Sequence, residues 1–264
     1  MEWGGPVAVW NTTKDGHIVI PGVSLAATQS VLFTVTSEDS FEGVSAASVH
    51  ISTADSDVFG TITSPDVEVR SFTEGTRQIT LSNGETQTLD LSLEGEAPRE
   101  LTGWQLNITA WTPPTNLSEV ESVLVPYPPI NLTQGLVPWD QLDGHQNTSG
   151  VGTYVTTFEW AHSGVGVQLD FGSVVHTLKA WINGEEIFTA DLACPVVDIT
   201  KFIKEGTNNI CVDAASTLLN AILATPGVQS FGQSKDQGAL QPPAHYGLVE
   251  PVRLVPYARA TVEI

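Results

Sequence analysis

Short runs of β-branched and aromatic residues, broken at close intervals by turn-forming pairs, constrain this chain more than any other feature. The runs are residues 30–36, 48–53, 66–73, 77–82, 86–93 and 101–111. The breaks are Glu38-Asp39, Ser64-Pro65, Glu74-Gly75, Asn83-Gly84 and Glu94-Gly95. From Ser64-Pro65 onward the breaks fall about 8–12 residues apart, which leaves no room for helices of ordinary length and suits a β-sandwich. Asn83-Gly84, between two alternating runs, predicts a hairpin with a type I′ turn, in which both central residues take positive φ. Composition points the same way: 23 Gly, 16 Pro and a single Met in 264 residues favour strands joined by polar turns, an all-β class.

The second half repeats the pattern. Tyr154, Thr156, Phe158 and Trp160 fall on one face of a period-two strand. Val165, Val167, Leu169 and Phe171 alternate with Gly166, Gln168 and Asp170 as a half-buried strand. Asn183-Gly184 closes a second two-residue hairpin, with Ala180, Ile182 and Ile187 on its core face. Residues 198–206 form a single helical turn capped by Asp198 or Thr200 and ended by Gly206. Residues 208–215, 248–256 and 258–264 return as strands. Between the halves, residues 112–138 carry Pro113-Pro114, Pro126, Pro128-Pro129 and Pro138, and proline removes ladder donors. The division that follows is a β-sandwich over 1–111, a proline-rich linker or strap over 112–137, and a second β-sandwich over 138–264.

Acids outnumber bases 30 to 10, a net charge of −20. Such a chain is repelled by phosphate backbones and anionic lipid, which excludes nucleic acid as a partner. No apolar stretch approaches the ~18–20 residues of a membrane span. Sequons begin at Asn11, Asn107, Asn116, Asn131 and Asn147, against about two expected by chance, and predict an extracellular, secreted glycoprotein. Met1-Glu2-Trp3-Gly4-Gly5-Pro6 is no signal peptide, so the expectation is a piece of a longer secreted protein. Cys194 and Cys211 lie 17 positions apart. They read as one local disulfide or as two small buried apolar side chains, without the ligand spacing of a zinc site.

The order of segments in the second half resembles a galactose-binding-like β-sandwich found in many glycoside hydrolases. Ser149-Gly150 with Tyr154 and Phe158 opens it. Gln168-Leu169-Asp170-Phe171-Gly172, Ala180-Trp181-Ile182-Asn183-Gly184, Val197-Asp198-Ile199-Thr200 and Glu205-Gly206-Thr207-Asn208-Asn209-Ile210 follow. Ser216-Thr217-Leu218-Leu219-Asn220 and Tyr246-Gly247-Leu248-Val249-Glu250-Pro251-Val252 close it. The arrangement is similar to the carboxy-terminal sandwich of large rhamnosidase-like glycoside hydrolases, and more distantly to the sugar-binding domain of β-galactosidase-type enzymes. Residues 19–25 and 29–33 resemble, more loosely, the last strands of the β-domain after the catalytic barrel. Two features depart from the pattern: Glu250 stands where relatives carry Gly, and residues 226–243 make a longer loop. The resemblance implies a jelly-roll-like fold whose two cysteines approach across the doubled-back segment 198–206. It also admits a structural calcium ion, although no oxygen-ligand loop of fixed spacing is present.

Catalytic chemistry is hard to place. Glycoside hydrolysis needs two flanking carboxylates, but pairs such as Glu185/Glu186 and Asp140/Asp143 are inevitable among 30 acids. A catalytic barrel needs ~250 residues with repeated helices, which the chain lacks. His17, His50, His145, His162, His176 and His245 are scattered, and a triad of Asp213, Ser216 and His245 has no motif behind it. What remains is sugar contact by aromatic faces and hydrogen-bonding side chains, for which Trp139, His145, Trp160, Trp181 and Tyr246 are the candidates. The leading expectation is a noncatalytic accessory region of a secreted glycoside hydrolase acting on plant-type polysaccharide. It would pack on the catalytic barrel of its parent chain and touch carbohydrate, with no cofactor. The alternative is an autonomous carbohydrate-binding or cell-surface adhesion module.

Overall fold

The structure, a computed structural model, describes residues 7–21, 23, 25, 30–33, 35, 40–41, 44–45, 49–63, 66–116, 118–119, 121–161, 164–187, 192, 194–225 and 244–263. The turns expected at Glu38-Asp39 and Ser64-Pro65, His162 and the loop 226–243 lie outside them. The chain is all-β, as its turn spacing predicts, and it divides into two units. One comprises Glu2–Pro98, His162–Gln168 and Val255–Ile264; the other is chiefly Arg99–Ala161 and Leu169–Leu254.

In the first of these units, β1 (Asn11–Thr12) pairs with β2 (Ile18–Val19), and β3 (Ser40–Phe41) pairs with β4 (Val44–Ser45). Next come β5 (Ile51–Ala54), β6 (Phe59–Ile62), β7 (Val67–Ser71), β8 (Gly75–Leu81) and β9 (Thr86–Leu91). Strands β5, β8 and β9 make an antiparallel sheet, while β7 pairs with β6 and with residues 258–262. Ile51, Val67, Val69, Ile79, Leu81 and Val262 close over one apolar core. The β8–β9 hairpin forms where Asn83-Gly84 predicts it, but with a different turn. Only Gly84 has positive φ (90°), and the amide of Gly84 reaches back to the Leu81 carbonyl. The left-handed pair falls instead at Glu94-Gly95 (φ 52° and 81°). Asp57 and Arg77 lock this unit's surface: the guanidinium Nη2 sits 2.7 Å from Asp57 Oδ2, and Thr73 and Ser71 also donate to that carboxylate.

The other unit is built on one large antiparallel sheet. Its elements are β10 (Arg99–Glu100), β11 (Trp104–Thr112), β12 (Val123–Pro126), β13 (Ile130–Leu132), β14 (Gly150–Trp160), β15 (Gly166–Asp170), β16 (Thr177–Ile182), β17 (Glu185–Ile187), β18 (Val196–Asp198), β19 (Gly206–Ala215), a short helix α1 (Leu219–Ala224) and β20 (Arg253–Val262). Strands β15 and β20 each contribute residues to both units. The sheet order is β12–β11–β14–β19–β16–β17, with β13 also against β11. The division therefore falls ahead of β11, not at residue 111, because β11 pairs with β14 over six residues. Residues 112–137 are likewise no free linker, since β12 and β13 both hydrogen-bond to β11. The closing segment forms one strand, β20, instead of two.

Period two sorts the side chains of this sheet. Trp104, Leu106, Ile108, Tyr154, Phe158, Trp160, Ala180, Ile182, Ile210 and Val212 point inward and are buried. The expected half-buried alternation at 165–171 is different: every residue from Val165 to Leu169 is buried, including Gln168. Gly150 and Gly152 are close approaches within β14. A Cβ at Gly152 would run into the Trp139 indole, and one at Gly150 into the backbone of Thr109.

Candidate functional site

The outward face of the large sheet is where groups remain available. Strand register places Asn131, Gln105, Val155, Cys211, Trp181 and Glu186 in one row across six strands. The neighbouring position pairs Thr157 with Asn209. Between these rows lies a groove of ≈ 510 Å³, lined by Val155, Thr157, Trp181, Gly184, Asn209 and Cys211 among others. That volume falls in the range of small-ligand sites.

Backbone geometry holds the groove open at one end. Asn183 and Gly184 both take positive φ (52° and 86°), the type I′ turn expected from the sequence. The Asn183 side chain fastens that turn to the neighbouring loop: its Nδ2 donates to Phe202 O and Asn208 Oδ1, and its Oδ1 accepts from the Asn209 amide. Asn208 is fully buried and donates in turn to Lys204 O and Gly206 O. Trp181 is thus half-buried beside a stiff turn, and Asn209 and Thr157 offer polar side chains nearby. Burial and the neighbouring Asp213 push the Cys211 thiol pKa up, which disfavours the nucleophilic thiolate.

The other aromatic candidates are placed differently. Trp139 and Tyr246 are fully buried, Trp160 is 2% exposed and His145 7%. Trp139 Nε1 donates to the Tyr154 hydroxyl at 2.7 Å, and Tyr246 shares a hydrogen bond with Thr217. Trp160 lies under the Arg99 guanidinium, 5.4 Å from ring centroid to Cζ. His145 packs edge-on against Tyr127, and burial lowers its pKa. Of the five, only Trp181 has a face that a ligand can share, because ring stacking requires an accessible face.

The remaining candidates do not converge. Cys194 and Cys211 are both thiols, so the expected disulfide is not formed. Cys211 points outward from β19, with Val155 and Trp181 as its cross-strand neighbours, whereas Cys194 precedes β18, a strand of another sheet. Neither is one of the fully buried side chains that the apolar alternative requires. His245 Nδ1 lies 3.0 Å from each carboxylate oxygen of Asp140, while Asp213 accepts from Thr153 Oγ1 and Ser216 Oγ bonds the Gly150 backbone. The suggested triad is therefore not assembled. Glu186 faces Lys179 at 3.7 Å. No group of three or more His, Cys, Asp or Glu among the described residues could hold a metal ion. Among them too, no helix is long and apolar enough to cross a membrane. Asn11, Asn116, Asn131 and Asn147 are exposed, and Asn107 is half-buried on the outward face of β11.

The departure at Glu250 has a structural reason. Its carboxylate accepts from the Ser173 amide and hydroxyl, both at 3.0 Å, and its side chain covers Gly172. Sequence reasoning missed Thr157, Asn209 and Cys211 as groove residues; their outward phase on β14 and β19 was the available signal.

No protein-family model matches the chain, and no curated protein matches it. Among solved structures it is similar to a rhamnosidase from Novosphingobium sp. PP1Y, with 20% identity and a TM-score of 0.44, over 79% of this chain and 25% of that one. It is also similar to an FMN-binding β-glucuronidase from Facaelibacterium prausnitzii L2-6 (18% identity, TM-score 0.37, 61% of this chain and 22% of that one). A β-glycosidase from Bacteroides vulgatus is comparable, at 18% identity and a TM-score of 0.33, over 61% and 20% of the two chains. The chain thus spans about a quarter or less of the length of these structures.

Proposed function

We propose that this chain is a noncatalytic accessory β-sandwich region of a secreted glycoside hydrolase acting on plant-type polysaccharide, and that its Trp181 groove contacts carbohydrate. The ordered motif set supports the first part. The single observation that carries the second is the half-buried Trp181 ring lining, with Asn209 and Gly184 of the tight turn, an open groove of ≈ 510 Å³. An indole face covers the C–H side of a sugar ring, and amide and hydroxyl groups pair with its edge hydroxyls. Packing on the catalytic barrel of the parent chain is the role of the rest of the region.

Titration of plant cell-wall oligosaccharides, followed by tryptophan fluorescence, tests the groove. Saturable binding with Kd below about 1 mM, weakened at least about tenfold by Trp181→Ala, is the expected result. Absence of binding removes the carbohydrate role and leaves the structural one. Hydrolysis of aryl rhamnosides or galactosides by the purified chain, above a buffer blank, overturns the noncatalytic reading.

A further inference from the structure

Sequon residues Asn131 and Asn107 lie on the same outward face of the large sheet as the groove. Asn131 is exposed on β13, at the edge of the large sheet, and Leu132 beside it is buried opposite Trp104, so the Asn131 side chain takes the outward phase. Its Oδ1 accepts from Gln105 Nε2 at 3.3 Å, and Nδ2, the atom a glycan joins, has no hydrogen-bond partner among the described residues. Thr133, which completes the sequon, is exposed in the turn that follows. Asn107 differs: it is half-buried in the middle of β11, between Thr153 and the chain at Tyr127, whose amide bonds to Ile108 O. From Asn131 the row runs over Gln105, Val155 and Cys211 to Trp181, four strand spacings or about 19 Å, a distance that a short oligosaccharide spans.

We infer that Asn131 carries an N-linked glycan that projects along this row and screens the Trp181 groove from globular macromolecules and large polymer coils, leaving it open to an extended sugar chain. The linkage forms a bond between Asn131 Nδ2 and the anomeric carbon of a lipid-diphosphate oligosaccharide. It breaks that carbon's bond to the diphosphate oxygen, and the amide gives up one proton. The inference rests on secretion of the chain and not on sugar binding by the groove.

Cys211, on the groove wall, serves as the probe. The full chain is secreted from a eukaryotic host, and sequon occupancy is read by peptide mass mapping after enzymatic deglycosylation in heavy-oxygen water. Alkylation of Cys211 by N-ethylmaleimide and by a poly(ethylene glycol) maleimide is then followed at one alkaline pH. The comparison covers glycosylated protein, enzymatically deglycosylated protein and Thr133→Ala. Asn131 is expected to be occupied, with the polymer reagent slowed severalfold only in the glycosylated protein and N-ethylmaleimide unchanged. Occupancy elsewhere with Asn131 empty overturns this inference alone. All five sequons empty overturns it together with the glycoprotein reading. Occupied Asn131 with equal polymer labelling overturns the screening. Where Thr133→Ala is not secreted, Asn131→Gln takes its place, since enzymatic deglycosylation removes the glycans of every sequon together.

Discussion

Tyr154→Phe tests the packing argument where it is tightest. The Tyr154 hydroxyl is buried and accepts two hydrogen bonds, from Trp139 Nε1 at 2.7 Å and from the Leu248 amide at 3.2 Å. Gly247 (φ 86°) presses its backbone on the same atoms, and a Cβ there would collide with the hydroxyl and the indole nitrogen. Removing one oxygen therefore orphans two donors where water has little room to replace it. At about 1–3 kcal/mol for each buried donor left unpaired, less the relief of no longer burying a hydroxyl, the loss is about 2–4 kcal/mol. In a unit of this size that lowers Tm by roughly 5–15 °C. Burial, opposed in part by the two hydrogen bonds, also pushes the Tyr154 pKa up from 10.0 to about 12. A folded pKa above the unfolded one contributes stability that is whole below pH 10 and disappears as pH rises toward 12. Urea unfolding at neutral and alkaline pH, read by tryptophan fluorescence, measures both effects. A Tyr154→Phe protein within about 0.5 kcal/mol of the parent at neutral pH refutes the reasoning.

Three smaller changes follow from the same structure. Asn220 is buried and brackets Ala244, donating to its carbonyl at 2.9 Å and accepting from its amide at 2.8 Å, so Asn220→Ala is expected to cost about 2–3 kcal/mol in urea denaturation. His176 Nε2 is buried with no hydrogen-bond partner among the described residues, 5.1 Å between its ring centroid and that of Tyr246, so His176→Phe is expected to gain about 1 kcal/mol, or to be neutral, in the same assay. The Arg77 guanidinium beside Asp57 holds that carboxyl down to about 2 from 3.8; its contribution is present above pH 4 and lost as pH falls toward 2. Asp57→Asn should flatten the acid limb of the stability curve by at most about 1 kcal/mol, since solvent screens a surface pair.

Strands and hairpins were legible because period two and turn pairs are local. Tyr154, Phe158 and Trp160 share a face as their spacing predicts, and Asn183-Gly184 adopts the turn its residues favour. The failures are nonlocal. Nothing in the sequence near residue 111 shows that β11 pairs with β14, or that the proline-rich stretch adds β12 and β13 to that sheet. Asn83-Gly84 favours type I′ by residue type, yet the connection holds one more residue and only glycine needs the left-handed region. The disulfide failed likewise: sequence separation reports loop length, whereas bond formation depends on which face of which sheet each Cβ leaves.

The aromatic candidates expose a further difference between motif and function. Tyr154, Tyr246 and Thr217 lie in recognisable segments, and the structure uses them, together with Trp139, on one another: indole to phenol, phenol to threonine, glycine beneath both. Glu250, the departure from the pattern, caps the turn at Gly172 and Ser173. Segments that build the inside in this way carry the resemblance because packing fixes them, and packing says little about a ligand. Trp181 sits inside such a motif but on its outward phase, flanked by Ala180 and Ile182, which are fully buried. Thr157 and Asn209 share that phase on adjoining strands, where the core asks nothing of residue type. A half-buried indole with an amide and a hydroxyl beside it, on a face that stability leaves unspecified, is therefore better evidence for a ligand than any of the motifs that identify the fold.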